Sequence, residues 1–208
     1  DNGSLRWVRP VGSAGSVPWG GREQRVHSAP ALDRGVVFCS DHLGITGAVE
    51  SATGRPIWIR RDAAPAMGGA GDSSQPWQWS VPVVRDDSVI MLTPDRSAIV
   101  SLDRQTGVVR ARRAAASVGD PAYLLSVGDQ IACVGAETVV LIPASDIERG
   151  PAARAARLTN IRGRVVVAGD RLIVPRPDSL LIIDPANPTR EPTQARLDHV
   201  GNVLPLDS

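Results

Sequence analysis

A short turn motif recurs along the chain and constrains its fold more than any other feature. The stretch ESATGRPIW (Glu50–Trp58) has a close copy in DRQTGVVRA (Asp103–Ala111), with an acid, a Thr-Gly pair and alanine in place of tryptophan. The segment NGSLRW (Asn2–Trp7) repeats the second half, because its glycine precedes its tryptophan by four residues, as Gly54 precedes Trp58. A turn that recurs in this way indicates a repeated building unit.

The first copy of the motif lies in a unit of four short strands. Tight turns that carry Gly and Asp separate apolar, β-rich runs between Ser28 and Ile59. The predicted strands are Pro30–Leu32, Val36–Ser40, Ile45–Val49 and Arg55–Ile59. The stretch from Ser80 follows the same pattern strand for strand, and two weaker copies come after it. The acid of the motif recurs as Glu50, Asp103 and Asp184, and the third copy has Pro143 in its place.

A four-stranded unit with a period of about 40 residues is typical of a β-propeller blade. A β-sandwich also has many short strands with Gly and Asp turns, but its strands do not repeat one signature in order. The sequence therefore predicts an all-β fold, a partial β-propeller built of four-stranded antiparallel blades. We expect about four blades, with partial blades at both ends of this chain.

The repeats place all 208 residues in one propeller segment. We expect residues 1–8 to form the last strand of a preceding blade and residues 199–208 the first strand of a following one. The four blades between them are predicted at residues 9–60, 61–113, 114–158 and 159–198, the first two with long entry loops. Because open blade edges are a solubility hazard, the working protein is expected to have more blades.

Composition excludes several classes of function. The net charge of +1 lacks the basic footprint of a nucleic-acid-binding protein, and no apolar run approaches the roughly 18 residues of a membrane-spanning helix. All 23 basic residues are arginine, so a loop ending in Gly-Lys-Ser/Thr and a Schiff-base lysine are impossible. The histidines and cysteines lack metal-ligand spacing. We predict no catalytic residue, no metal site and no cofactor.

The two cysteines are predicted to be buried, inert thiols rather than a redox pair. Cys39 and Cys133 lie in the second strands of the first and third units. Aligning Cys133 with Phe38 leads us to expect that the two thiols face opposite sides of their sheets.

The segment AVESATGRPIW resembles the Ala-x-Asp-x-x-Thr-Gly-x-x-x-Trp docking motif of the quinoprotein, or PQQ-like, β-propeller repeat. Matching residues are Ala48, Thr53, Gly54 and Trp58 in the first copy, with Glu50 for the usual Asp, and Ser101, Asp103, Thr106 and Gly107 in the second. The resemblance implies that the turn sets blade spacing and that the tryptophan packs against the next blade. The implied blade-docking residues are Trp7, Thr53, Gly54, Trp58, Thr106 and Gly107.

The family that the chain resembles has two functional branches. One is similar to alcohol and glucose dehydrogenases and binds pyrroloquinoline quinone, usually with Ca²⁺, on the propeller axis. The other has no cofactor and includes a lipoprotein of the bacterial outer-membrane barrel-assembly machinery and envelope modules that bind proteins. Because the chain has no adjacent cysteine pair, the resemblance favours a non-catalytic scaffold with protein partners in a larger extracytoplasmic protein. A fragment of a PQQ-dependent quinoprotein dehydrogenase is the alternative.

Two long insertions, Arg9–His27 and Asp62–Trp79, precede the first strands of units one and two. Loops of this length are usually functional or disordered. Links between propeller blades emerge on one face, so we expect the two inserts to lie side by side. Their candidate partner-binding residues are Trp19, Met67, Gln75, Trp77, Gln78 and Trp79. Two interpretations are open: the tryptophans are lids over the blades, or they are anchors for a partner.

Overall fold

The structure is a computed structural model that describes residues 5–8, 29–40, 44–62, 80–158, 160–161, 163–188 and 190–198. Within these ranges, sixteen strands form four antiparallel sheets of four strands, and the strands of each sheet pair in chain order. The predicted all-β architecture, a partial β-propeller of four-stranded blades, is confirmed.

Each sheet corresponds to one of the four repeats. Blade 1 consists of β1 (Ala31–Asp33), β2 (Val36–Ser40), β3 (Ile45–Glu50) and β4 (Pro56–Arg61). Blade 2 consists of β5 (Val83–Arg85), β6 (Ser88–Leu92), β7 (Ala98–Asp103) and β8 (Val109–Ala114). Blade 3 consists of β9 (Tyr123–Val127), β10 (Gln130–Val134), β11 (Thr138–Pro143) and β12 (Ala153–Arg157). Blade 4 consists of β13 (Val166–Ala168), β14 (Arg171–Pro175), β15 (Ser179–Ile183) and β16 (Thr193–Arg196).

The first strand of each blade contacts the first strand of the next. These contacts join β1 to β5, β5 to β9 and β9 to β13. The fourth strands β4, β8, β12 and β16 each pair with a single strand and form the outer edges of their sheets. The first strands therefore lie closest to the propeller axis, and the motif turns between third and fourth strands lie toward the periphery.

The turn between the first two strands of blade 1 explains a shift of one residue from the predicted boundary. Asp33 pairs with Val36 across the two-residue turn Arg34-Gly35. Both turn residues have positive φ, 45° and 76°, as in the type I′ turns that suit the twist of a hairpin. Because Asp33 belongs to the ladder, β1 ends at Asp33 rather than at Leu32, and it begins at Ala31 rather than at Pro30.

The core consists of three apolar clusters, each between two neighbouring blades. Second-strand residues alternate between the clusters, as the two-residue period of a strand requires. Phe38, Val89 and Met91 share the cluster between blades 1 and 2, with Trp58. Ile90, Leu92, Ile131 and Cys133 share the cluster between blades 2 and 3. Ala132, Val134, Leu172 and Val174 share the cluster between blades 3 and 4. Blades 2 and 3 thus bury both faces of their sheets against neighbours, and blades 1 and 4 each contribute one face to a cluster.

The expectation that the cysteines face opposite sides of their sheets is wrong. Val36 opposes Glu50 in blade 1, and Gln130 opposes Pro143, the corresponding position in blade 3. Gln130 therefore corresponds to Val36, and Cys133 is in register with Cys39, not with Phe38. Cys133 is fully buried, and burial raises the pKa of its thiol to about 12.

Other differences from the sequence predictions lie at the ends of elements. The fourth strand of blade 1 runs from Pro56 to Arg61, because Arg55 still belongs to the turn, where its carbonyl accepts from the Glu50 N–H. Residues 5–8 pair with no strand of the described ranges, and their place as the last strand of a preceding blade stays a prediction. A single turn of 3-10 helix, Ala115–Val118, connects blades 2 and 3. The described ranges contain no helix that could span a membrane. The strand predicted at 199–208 lies outside these ranges.

Candidate functional site

The motif turn has the same backbone geometry in blades 1 and 2. The Gly54 N–H donates to the Glu50 carbonyl at 2.8 Å, and the Gly107 N–H donates to the Asp103 carbonyl at 2.9 Å. Both glycines have positive φ, 69° and 70°, which side-chain-bearing residues adopt only with strain. The Thr-Gly pair of the motif is therefore a backbone requirement of this turn.

The acid and the threonine hold the turn from within. The Asp103 carboxylate accepts from the backbone N–H groups of Gln105 and Thr106, at 2.9 and 2.8 Å, and from the Thr106 hydroxyl at 2.9 Å. The Thr106 hydrogen bonds, followed by one from Arg110, lower the pKa of Asp103 to about 2. In blade 1 the Thr53 hydroxyl donates to Glu50 and lowers the pKa of that carboxyl. Each carboxylate is thus an ionised acceptor that organises its own turn.

The carboxylate of blade 4 has the same role although its Thr-Gly pair is replaced. Asp184 accepts from the Asn187 side-chain amide at 3.0 Å and from the Ala186 N–H at 3.1 Å. Arg171 pairs with the same carboxylate at 2.7 Å. The hydrogen bond from Asn187 is the main cause that lowers the pKa of Asp184.

An indole ring lies flat against the glycine of each Thr-Gly turn. A Cβ atom on Gly107 would lie 2.6 Å from ring carbons of Trp58, and one on Gly54 would lie 2.5 Å from a ring carbon of Trp7. Trp58 Nε1 donates to the Arg104 carbonyl at 2.9 Å, and Trp7 Nε1 donates to the Ser51 carbonyl at the same distance. Both acceptors follow the acid of the turn by one residue, so the two docking contacts are equivalent.

Trp58 connects blade 1 to blade 2. Its side chain is 8% exposed, and its ring centroid lies 6.3 Å from that of Phe38. The side chain of Arg104 extends from the turn of blade 2 to blade 1, where it donates to the Asp33 carbonyl at 3.1 Å and pairs with the Asp33 carboxylate. Its guanidinium also lies 5.7 Å from the centre of the Phe38 ring. Trp58 and Arg104 therefore link the two sheets in both directions.

An arginine in the outer strand makes a second docking contact that the sequence predictions missed. Arg60 donates to the Gly107 carbonyl at 3.0 Å and is held by Asp62 at 2.6 Å. Arg113, at the same position in blade 2, donates to the carbonyls of Ile147 and Gly150 in blade 3, at 3.3 and 2.8 Å. The sequence signal that could have predicted this contact is an arginine two residues after Trp58 in blade 1 and two residues after Ala111 in blade 2.

The interface between blades 3 and 4 uses a different aromatic residue. The Val165 N–H donates to the buried Tyr123 hydroxyl at 2.8 Å, and the Arg164 guanidinium lies 4.1 Å from the centre of the tyrosine ring. Burial raises the pKa of Tyr123 to about 12. Gln130 also donates to the Pro185 carbonyl at 3.3 Å. Tyr123 thus packs between blades where the outer strand offers no tryptophan.

The structure brings four of the six predicted docking residues together in two contacts, Trp7 on Gly54 and Trp58 on Gly107. The other two, Thr53 and Thr106, are exposed in their turns. Candidate partner-binding residues that lie outside the described residues are Trp19, Met67, Gln75, Trp77, Gln78 and Trp79. Within the described ranges, no group of three His, Cys, Asp or Glu side chains is arranged to hold a metal ion.

Replacing Trp58 by alanine is expected to lower the free energy of unfolding by about 3–5 kcal/mol, as for large aromatic truncations in a core. The substitution removes an indole that touches Gly107, Phe38 and the Arg104 carbonyl. Chemical denaturation measures the effect. Ile59→Ala in the same strand is the control, because Ile59 is 47% exposed and its truncation should cost less than about 1 kcal/mol. Equal losses for the two variants would contradict the docking role of Trp58.

Asp103 should make stability depend on pH below about 4. Its ordinary pKa of 3.8 falls to about 2 in the folded chain, so the unfolded chain binds the proton first as the pH falls. The stabilisation is present above the ordinary pKa and is lost as the pH falls toward 2. Thermal melts of wild type and Asp103→Asn between pH 5 and 2 measure this, because the wild-type advantage should shrink through that interval. A constant difference would show that the carboxylate charge is not the cause.

Comparison with known proteins finds one matching family and similar solved structures. The model of the family described as outer membrane protein assembly factor BamB matches residues 11–190. BamB from Moraxella catarrhalis is similar at 19% identity with a TM-score of 0.60, over 93% of this chain and 57% of that chain. The quinohemoprotein alcohol dehydrogenase ADHIIG from Pseudomonas putida is similar at 12% identity with a TM-score of 0.51, over 83% and 34%. No curated protein sequence matches.

The two structural similarities show the fold, and the chain spans just over half of the BamB chain and about a third of the dehydrogenase. The family model covers most of the chain, including all four blades up to the turn after β15. Together with the docking of Trp7 and Trp58 on successive Thr-Gly turns, it shows that the chain belongs to the PQQ-like β-propeller family described as outer membrane protein assembly factor BamB.

Proposed function

We propose that this chain is a non-catalytic propeller segment that acts as a protein-interaction scaffold within a larger protein of the bacterial cell envelope. The observation that carries the proposal is that the polar side chains of the motif turns and outer strands hold the fold together. The acids of the motif turns accept hydrogen bonds within those turns, and Arg60, Arg104 and Arg113 donate to carbonyls of neighbouring blades. These groups build a rigid frame on which loops can be presented.

The ionisation of the acids in the motif turns supports this role over general acid–base catalysis. An acid–base catalyst works best with a pKa near the operating pH. The pKa values of Glu50, Asp103 and Asp184 are lowered, away from neutral pH, each mainly by a hydrogen bond from within its turn. All three are therefore ionised and already bound to turn donors at neutral pH.

Membership of the family described as outer membrane protein assembly factor BamB supports an envelope role. We infer an extracytoplasmic location and protein partners in an assembly from that description. The candidate surface for these partners is the pair of inserts that carry Trp19, Trp77 and Trp79. Large rings on short side chains suit such a surface, since they bury much area with few rotatable bonds.

The alternative, a fragment of a PQQ-dependent dehydrogenase, requires a quinone site and usually a Ca²⁺ site. The carboxylates of Glu50, Asp103 and Asp184 lie in three different blades, and each is engaged in its own turn. Cys39 and Cys133 also lie two blades apart. These observations support the scaffold over a quinone site in the part of the chain that the structure describes, and the similarity to a quinohemoprotein dehydrogenase concerns the fold.

Site-directed photo-crosslinking in the native cell tests the scaffold proposal. A photoreactive amino acid at Trp19 or Trp77 of the full-length protein should give crosslinks to defined envelope proteins. The matched control is the same amino acid at Arg112, which is exposed on an outer strand. Replacing each insert by a turn of about four residues should remove these partners and leave folding nearly intact, since loop-closure entropy changes slowly with length.

Two results would contradict the proposal. A shortened protein that keeps its partners but melts far lower would show that the insert tryptophans are lids over the blades. A bound-quinone absorbance band after addition of pyrroloquinoline quinone and Ca²⁺, or dye-linked alcohol oxidation, would favour the dehydrogenase.

A further inference from the structure

Ala111 occupies the position in blade 2 that Trp58 occupies in blade 1. Trp58 opposes Ala48 in β3, and Ala111 opposes Ser101 at the same place in β7. Blade 2 therefore presents a methyl group to blade 3 where blade 1 presents an indole ring to blade 2.

An open cleft of about 380 Å³ lies at this position, and we name it the blade 2/3 cleft. Its lining includes Ser101 and Ala111 from blade 2 and Ala144 and Ile147 from blade 3. Ile147 is 2% exposed and belongs to the apolar cluster against which Ala111 packs, and it stands at the motif position that Gly107 has in blade 2. The remaining volume falls within the range of roughly 300–1,000 Å³ that is usual for ligand pockets.

The cleft keeps the hydrogen-bond acceptor that a docked indole uses. In blade 2 the Arg104 carbonyl accepts from Trp58, and the Arg104 N–H donates to the Asp87 carbonyl at 2.8 Å. Ala144 is the corresponding residue of blade 3, because its N–H donates to the Asp129 carbonyl at 2.9 Å. Within the described part of the chain, no donor reaches the Ala144 carbonyl.

The net charge of the cleft lining is negative, because it has three aspartates and two arginines. Arg85 donates to the Gly128 carbonyl at 2.6 Å, and Arg110 pairs with the carboxylates of Asp87 and Asp103. Both arginines of the lining are thus engaged. The exposed carboxylates of Asp86 and Asp129 also line the cleft and make no hydrogen bond or ion pair with any residue that the structure describes. A cation next to an apolar ring would complement this rim.

We propose that the blade 2/3 cleft binds a tryptophan side chain of a partner protein, adjacent to a lysine or arginine of the same partner segment. The indole N–H is directed to the Ala144 carbonyl, as that of Trp58 is to the Arg104 carbonyl. The ring lies beside Ile147, which stands where blade 2 has Gly107, and the cation faces Asp86 and Asp129. The inference rests on the proposed scaffold function and adds to it the chemistry of one partner segment.

Tryptamine is a direct probe, because it joins an indole ring to an ammonium group. Calorimetric titration into the full-length protein should show saturable binding of tryptamine at least about tenfold tighter than that of indole-3-propionate, which carries a carboxylate instead. The double variant Asp86→Asn/Asp129→Asn should remove this preference. These positions are exposed, so the double variant is expected to fold as the wild type does.

Ala111→Trp should fill the cleft in cis and weaken tryptamine binding at least about tenfold. Thr193→Trp is the matched control, because Thr193 opposes Ile182 at the corresponding place in the outer strand of blade 4. This control should bind tryptamine as the wild type does.

Crosslinking in the cell separates this inference from the scaffold proposal. A photoreactive amino acid at exposed Ser145 should crosslink a partner in the wild-type background and lose it in the Ala111→Trp background, while the Thr193→Trp background keeps it. Absence of tryptamine binding, or a partner at Ser145 that Ala111→Trp does not displace, would overturn the cleft inference. Crosslinks from the insert positions would still support the scaffold. Loss of partners at every position would overturn both.

Discussion

The contact between an indole ring and a glycine is the constraint on which the arrangement of the blades depends. Trp58 projects from the outer strand of blade 1 and lies against Gly107 in the turn of blade 2, with no room for a Cβ atom between them. The apolar clusters hold neighbouring sheets together along their second and third strands. The indole contact adds a fixed point near the periphery. Two points of attachment at different distances from the axis define the angle between two sheets.

The polar groups serve the same constraint. Asp103 shapes the turn through three hydrogen bonds, and this turn positions the Arg104 and Gly107 carbonyls that Trp58 and Arg60 use. An acid in one blade therefore acts on the preceding blade through the backbone carbonyls of its own turn. Where Ala111 replaces the tryptophan, Arg113 and Ile147 maintain the interface and the cleft is left beside them.

The sequence predicts local geometry well, because the two-residue Gly and Asp turns and the alternating apolar strands are short-range signals. The order of the strands follows from these signals, whereas the packing of the tryptophan against the next blade is implied by the family resemblance. The side of the sheet that Cys133 faces does not follow from short-range signals, since its strand begins at Gln130 and only the pairing of Gln130 with Pro143 shows this register. The burial of Ile147 between blades 2 and 3 cannot be predicted for a similar reason. This residue lies in a longer turn of blade 3, and its role depends on Ala111 standing where blade 1 has a tryptophan. The insert residues, including Trp19 and Trp77, stay predictions.

A double-mutant cycle of Trp58→Ala and Gly107→Ala tests the central contact most directly. Gly107→Ala introduces strain at positive φ in either background, but it displaces an indole ring only when Trp58 is present. Equilibrium unfolding of the four proteins should therefore show that the double variant is more stable than the sum of the single losses predicts, by at least about 1 kcal/mol. Additive losses would contradict the account, because they would show that the ring and the glycine stabilise the chain independently.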